Sequence, residues 1–272
     1  MNSVVVILTV YSGDKYSNFK DALESLYSQS FKKFDIFVQE DGPVDRKINS
    51  YLKTEFKKQR IKFHGERKIN KGFDFSLNEL IGRALEKKYK YIVRMDADDI
   101  SMEERLEKQF QFMEKNPSVD VLGSAIEEFG DNLEYQKKVQ YPLTHKKMLS
   151  FFKMRVPLAH VSAFFRVTFF QKAGLYEVDG HLNNGDTIMW MKGFTTGCIF
   201  ANIPDVCVRV RVSREFFYRR TGLRKALSDF ENRVLVIRKL DYNFVSYLYA
   251  FLSFLINLMP SFLKKIAYKN LR

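Results

Sequence analysis

Two short apolar runs in this chain end in clustered carboxylates: residues 34–39 lead into Glu40-Asp41-Gly42-Pro43, and residues 91–95 lead into Asp96-Ala97-Asp98-Asp99. Residues 4–8, Val-Val-Val-Ile-Leu, form a third such run, followed by turn chemistry at Tyr11-Ser12-Gly13-Asp14. Between the runs, apolar residues recur at helical spacing: Phe19, Ala22, Leu23, Leu26 and Tyr27, then Leu77, Leu80, Ile81, Ala84 and Leu85. Residues 45–56 also read as a helix, and 60–64 as a strand. Strands alternating with helices imply right-handed crossovers and a mainly parallel sheet covered on both faces. Ligands of such sheets bind at the carboxyl ends of the strands. The two acidic clusters are therefore expected to face one crevice.

After a helix carrying Leu106, Phe110 and Met113 and a strand at 119–122, the alternation weakens. A soft boundary near residue 140 separates residues 1–140, the candidate nucleotide-binding half, from 141–240, the candidate acceptor-binding half. Strands are expected at 161–166 and 206–212, with a helix over 186–192. Arg209 and Arg211, two apart, share a face of the last strand. The tail, 241–272, contains a run from Phe244 to Met259 without a charged residue, then Pro260, then Lys264, Lys265, Lys269 and Arg272. That run is too short to span a bilayer, which takes about 20 residues. An interfacial helix meeting anionic lipid accounts for both its apolar character and the basic flank, and an ordinary core helix accounts for the first.

At 46% hydrophobic and 28% charged residues the chain is globular, and its net charge of +13 favours an anionic partner. No zinc pattern, aromatic RNA-binding signature or basic recognition helix singles out nucleic acid. The two cysteines, Cys198 and Cys207, match no metal or disulfide framework and are expected as buried thiols. The N-terminus has neither a basic flank nor a cleavage site and reads as a strand, so a cytoplasmic location is expected.

Asp-x-Asp at a strand end can aim two carboxylates at one hard divalent cation, which offsets charge on a departing diphosphate. The competing role for Asp98 or Asp99 is to cap a helix starting near Ser101.

In order along the chain, Glu24-Ser25-Leu26 with Gln29, the segment Val38-Gln39-Glu40-Asp41-Gly42, Asn70-Lys71-Gly72 with Asn78, Arg94-Met95-Asp96-Ala97-Asp98-Asp99, and Pro157 with His160 and Arg166 resemble the blocks of glycosyltransferase family two. The resemblance spans residues 3 to about 220. It implies the GT-A fold, α/β with a mostly parallel nucleotide-binding sheet flanked by helices, and a role in O-antigen or capsule synthesis. By the same resemblance Asp41, or its neighbour Glu40, reads the uracil of a UDP-sugar through its N3–H. Asp96 and Asp98 bind nucleotide and metal (manganese or magnesium), with Asp98 the direct ligand, and Arg94 supports the diphosphate or orders these acids. Asp186 takes the position of the base in an "ED…W" helix start, with Trp190 following, while Gly185 stands where the pattern has glutamate. Helix capping is the alternative role for Asp186. His160 is an acceptor-side candidate. Arg209, Arg211, Arg219 and Arg220 are candidates for phosphate, since guanidinium forks suit its oxygens. Trp190 reads as core.

The implied reaction is inverting transfer of a hexose from a UDP-sugar to a lipid-diphosphate-linked saccharide at the inner membrane surface. A nucleotidyltransferase, disfavoured by the lack of a Gly-rich loop at residues 9–13, and an inactive homologue, suggested by Gly185, are the alternatives.

Overall fold

The computed structural model describes residues 2–130, 136–178, 185–212 and 222–258. Strand β1 (Val4–Val10) is wholly buried, and its alternating side chains serve two cores. Val4, Val6 and Leu8 pack on one side with Phe19, Leu23 and Leu26 of helix α1 (Tyr16–Tyr27) and with Ile48 and Leu52 of α2 (Arg46–Lys57). Val5 and Ile7 pack on the other with Leu77, Leu80 and Ile81 of α3 (Phe73–Glu86). That two-sided burial is why the run shows no polar alternation.

Parallel pairing joins β1 to β2 (Phe34–Glu40) and to β4 (Tyr91–Met95), and β2 to β3 (Phe63–Gly65). The third strand begins later than expected. The chain closes α2 with Gln59 in the left-handed region and an Arg60 N–H bond to the Glu55 carbonyl, leaving only residues from 63 onward extended.

The sheet continues past residue 140. Its order is β3-β2-β1-β4-β8-β6-β9-β5, with β7 (Gln136–Val139) on β6. Strands β6 (Val121–Gly130) and β9 (Phe200–Val212) run parallel with a bulge near Ser124 and Ala125, while β8 (Phe164–Arg166) wedges antiparallel between β4 and β6. The expected strand at 161–166 is thus shortened. Residues His160–Ser162 form a 3-10 turn instead, with the Ser162 hydroxyl donating to the Ala159 carbonyl. The expected helix start at Ser101 is also corrected. Ile100–Ser101 form β5, paired antiparallel with Val208 and Arg209, and α4 begins at Arg105 (Arg105–Lys115).

Helices α5 (His145–Phe152), α6 (Thr168–Ala173) and α7 (Gly185–Thr195) complete the body. Trp190 is fully buried, stacked on Phe165 and edge-on to Phe169 and Phe200, as expected of a core residue. Cys198 and Cys207 are both free and buried. Helices α8 (Leu223–Lys239) and α9 (Val245–Leu258) close the described chain, and no helix among the described residues is long and apolar enough to cross a membrane.

Candidate functional site

The carboxyl ends of β1, β2 and β4 lie side by side, since Val10 pairs with Glu40 and Leu8 with Met95. Both acidic clusters therefore emerge along one edge, as the topology demands.

At the end of β2 the two acids diverge. Glu40 turns inward, accepting from Asn49 Nδ2 at 3.0 Å and lying 2.7 Å from His64 Nε2. Asp41 turns toward the loop before α3, where it accepts the backbone N–H groups of Lys71 (2.8 Å) and Gly72 (2.9 Å) and a 2.6 Å ion pair from Arg67. Asn70 ties the same loop down through an Nδ2 donation to the Asp41 carbonyl at 3.0 Å. Gly42 has φ +82°, and a Cβ there would fall 2.8 Å from the Asn70 nitrogen, so this close approach requires glycine. The Asp-Gly and Asn-x-Gly blocks are two halves of one clamp.

Beyond β4, the Asp96 carboxylate receives both terminal nitrogens of Arg94, Nη1 at 2.7 Å. Carboxylate oxygens of Asp96, Asp98 and Asp99 all lie within 4.8 Å of one another. Burial, then repulsion from Asp96, pushes the Asp98 pKa up to about 6, and burial with both neighbours raises Asp99 well above the usual carboxylate range. Hard oxygen donors crowded together against their own repulsion suit a divalent cation such as magnesium or manganese. Asp99 is no helix cap. It is buried and accepts the Arg211 backbone N–H at 2.8 Å, while Arg211 Nε donates to the Asp98 carbonyl at 3.1 Å.

Arg209 and Arg211 do share a face, both guanidinium groups lying over the Phe129 ring. Arg209 pairs with Glu127 at 2.8 Å, and Arg211 reaches Asp21 at 3.5 Å. Arg219 and Arg220 lie outside the described residues.

His160 sits 2.6 Å from the Tyr176 hydroxyl, ringed by Phe73, Tyr176 and Trp190. Burial, then the Arg94 charge, holds its pKa well below 6.5, so it is neutral at pH 7. Asn78 grips both backbone groups of Tyr176, at 2.8 and 2.9 Å, fixing α3 to the segment that precedes α7. Asp186 lies in the first turn of α7, where its Oδ1 takes the N–H of the adjacent Thr187 at 2.7 Å. A capping residue would reach two or three residues on, so this contact is not an N-cap.

Sequence reasoning did not single out Arg105, Tyr176 or Asp74. Arg105 is fully buried and donates to the carbonyls of Arg94 (2.8 Å) and Val161 (2.9 Å), bracing β4 from below. Only its neighbours reveal that role, for on α4 it lies on the buried face with Leu106, Gln109 and Met113, where a charged residue is not expected. Asp74 carried one signal, an acid in the first turn of a helix directly after Asn-x-Gly. Burial, then the charge of Asp186, lifts its pKa to about 6, which brings α3 and α7 together at one point.

Residues 5–174 match the family model "Glycosyl transferase family 2". The chain is 30% identical to the amylovoran biosynthesis glycosyltransferase AmsE of Erwinia amylovora over 217 residues, 80% of this chain and 79% of that protein. It is 28% identical to the UDP-Gal:alpha-D-GlcNAc-diphosphoundecaprenol beta-1,3-galactosyltransferase of Escherichia coli, over 89% of this chain and 85% of the other. Among solved structures, the mannosyltransferase PcManGT of Pyrobaculum calidifontis, in complex with GDP-Man and Mn2+, superposes over 100% of this chain and 81% of its own with a TM-score of 0.63 and 16% identity. S. aureus TarS 1–349 in complex with UDP covers 90% of this chain and 70% of its own at a TM-score of 0.61 and 17% identity. The fold is accordingly the GT-A type: α/β, with a mostly parallel curled sheet flanked by helices.

Proposed function

Because the chain belongs to glycosyltransferase family 2, we propose that it transfers a hexose from a UDP-sugar to a hydroxyl of a lipid-diphosphate-linked saccharide, with inversion, in bacterial surface polysaccharide synthesis. One observation carries the reading: the strand tips bring the Asp41 clamp and the Asp96, Asp98 and Asp99 carboxylates to one edge of the sheet. The Escherichia coli relative, a galactosyltransferase named for a UDP-Gal donor and a diphosphoundecaprenol-linked acceptor, supports that donor and acceptor class.

Asp41, prepositioned by two backbone N–H groups and Arg67, accepts the N3–H of the uracil. Glu40 is committed to Asn49 and His64, and supports the strand end from behind. Asp98, with Asp96 and Asp99, would hold a magnesium or manganese ion, which supplies charge stabilisation to the departing diphosphate. Arg94 orders Asp96 for that task. Arg211, bonded to Asp98 and Asp99, braces the cluster from β9, and Arg209 adds positive charge beside it. Asp186 takes the proton of the attacking acceptor hydroxyl, and a single displacement inverts the anomeric centre. Neutral His160, held by Tyr176, lines the acceptor side. Residues 1–140 thus supply the nucleotide and metal carboxylates and 141–240 the base.

Helix α9 supports peripheral attachment of the cytoplasmic enzyme to the anionic inner face of the membrane. Phe244, Val245, Leu248, Phe251 and Leu252 are 46–87% exposed, and the chain beyond is basic. The deciding experiment incubates the protein with a panel of UDP-sugars and a polyprenyl-diphosphate saccharide, with manganese and with EDTA. Metal-supported release of UDP with elongation of the saccharide is expected. Release of pyrophosphate would mark a nucleotidyltransferase, and absence of UDP-sugar binding would overturn the reading.

A further inference from the structure

Gly185 opens α7 immediately before Asp186, at the position where the sequence pattern led one to expect glutamate. The space that a side chain there would fill is taken. A Cβ built on Gly185 would lie 2.7 Å from both the carboxyl carbon and Oδ1 of Asp74, with the other carboxylate oxygen nearer still. Asp74 comes from the first turn of α3, more than a hundred residues earlier in the chain, and its carboxylate ends against the first turn of α7.

Two further facts separate Asp74 from a packing residue. Among the described residues its carboxylate ends no side-chain hydrogen bond or ion pair, although it is half-buried. It is also surrounded by the groups assigned to the acceptor side. The charge of Asp186 acts on it, its own charge acts on Tyr176, and the ring of the adjacent Phe73 contacts both Arg94 and His160. A half-buried carboxylate with spare acceptor capacity, beside the base and behind no partner, is costly to keep unless a ligand's donors meet it.

We propose that Asp74 is an acceptor-binding residue: its carboxylate, admitted by the missing side chain at Gly185, accepts a hydrogen bond from a saccharide hydroxyl adjacent to the one Asp186 deprotonates. Gly185 and Asp74 then form one unit, in which the second carboxylate of the acceptor pocket comes from α3 and not from α7. The ligand class is a polyhydroxyl sugar, since a diphosphate or other anion would be repelled by two neighbouring carboxylates.

The inference rests on the proposed transferase activity, and a double-mutant cycle on the full chain separates the two. Transfer by the unmodified enzyme is measured first, and its absence would remove the proposed function. With transfer in hand, Asp74→Ala is expected to raise the acceptor KM about tenfold or more while UDP affinity and kcat change less than about threefold. Asp74→Asn, which keeps an acceptor oxygen, should lose less. Gly185→Ala, which displaces the carboxylate without removing it, should reproduce the Asp74→Ala effect and add nothing further in the Asp74→Ala background. UDP affinity reports that each variant is folded. An acceptor KM unchanged in Asp74→Ala, or independent and additive effects of the two substitutions, would overturn the assignment.

Discussion

Asp99 accepts the backbone N–H of Arg211 at 2.8 Å across a separation of 112 residues, fastening the acidic tip beyond β4 to strand β9. Arg211 returns the contact by donating from Nε to the Asp98 carbonyl. Asn at position 99 can still accept the N–H, whereas Ala cannot. Asp99→Ala should therefore lower stability by about 1–3 kcal/mol, the cost of an orphaned buried donor. Asp99→Asn should keep most of the stability and lose metal affinity, as should Asp98→Asn. Thermal denaturation paired with manganese titration of the three variants distinguishes these outcomes.

Asp41 supplies a charge that Arg67 and two N–H groups hold in place. Replacing it by Asn retains the shape but removes the anionic acceptor and leaves Arg67 without its buried counter-charge. UDP should bind roughly tenfold or more weakly, equivalent to about 1.4 kcal/mol, while binding of the acceptor is unaffected. Calorimetric titration with UDP checks this, and equal affinity would mean that the base is read elsewhere.

Asp186→Asn should slow transfer by about 100-fold or more, the usual scale of a lost general base. UDP affinity should remain near that of the unmodified enzyme, because among the described residues the side-chain hydrogen bonds of Asp186 go to Thr187 and not to the Asp41 clamp or the metal cluster. Turnover preserved in this variant would remove Asp186 from the mechanism.

Asp74 titrates near 6 in the folded protein against an ordinary 3.8, so folding favours its protonated form. Its charge costs stability above pH 6, and the cost disappears as pH falls toward 4. Asp74→Asn should consequently be the more stable protein at pH 7.5, by roughly 1 kcal/mol after solvent screening. The gap should close by pH 4, and melting temperatures of the two proteins across that range provide the measurement.

The exposed face of α9 should bind lipid. Leu248→Glu with Leu252→Glu replaces side chains 56% and 46% exposed, so the fold should survive. Sedimentation with phosphatidylglycerol vesicles should fall several-fold for the double variant, and equal sedimentation would assign membrane attachment to other residues.

The N-terminal half was legible because local pattern and global fold agree there. A strand buried on both faces must be continuously apolar, and a parallel pair needs a crossover helix, so residues 4–8, 34–39 and 91–95 announce strands that the structure extends to Val10 and Glu40. The polar tips of such strands announce the crevice. Past residue 140 the sheet is built from a three-residue strand and a bulged long one, too short or irregular to carry a period. The 3-10 turn at His160–Ser162 is held from outside by Arg105, Gln109 and Ser124, and β5 at Ile100–Ser101 by its pairing with β9.

The sequence by itself determined which side chains can carry chemistry: a run of carboxylates after β4, an Asp-Gly after β2 and an aspartate at the start of α7. Only the tertiary structure decided which of them act together. It turned Glu40 toward His64 and Asp41 toward the Asn70 loop, made Asp99 a tether where a helix cap was the competing role, and set Asp74 against Gly185. Residue type and spacing are written along one dimension. The partner that satisfies a buried charge is chosen by which distant backbone the folded sheet brings within 3 Å, and no local pattern encodes that distance.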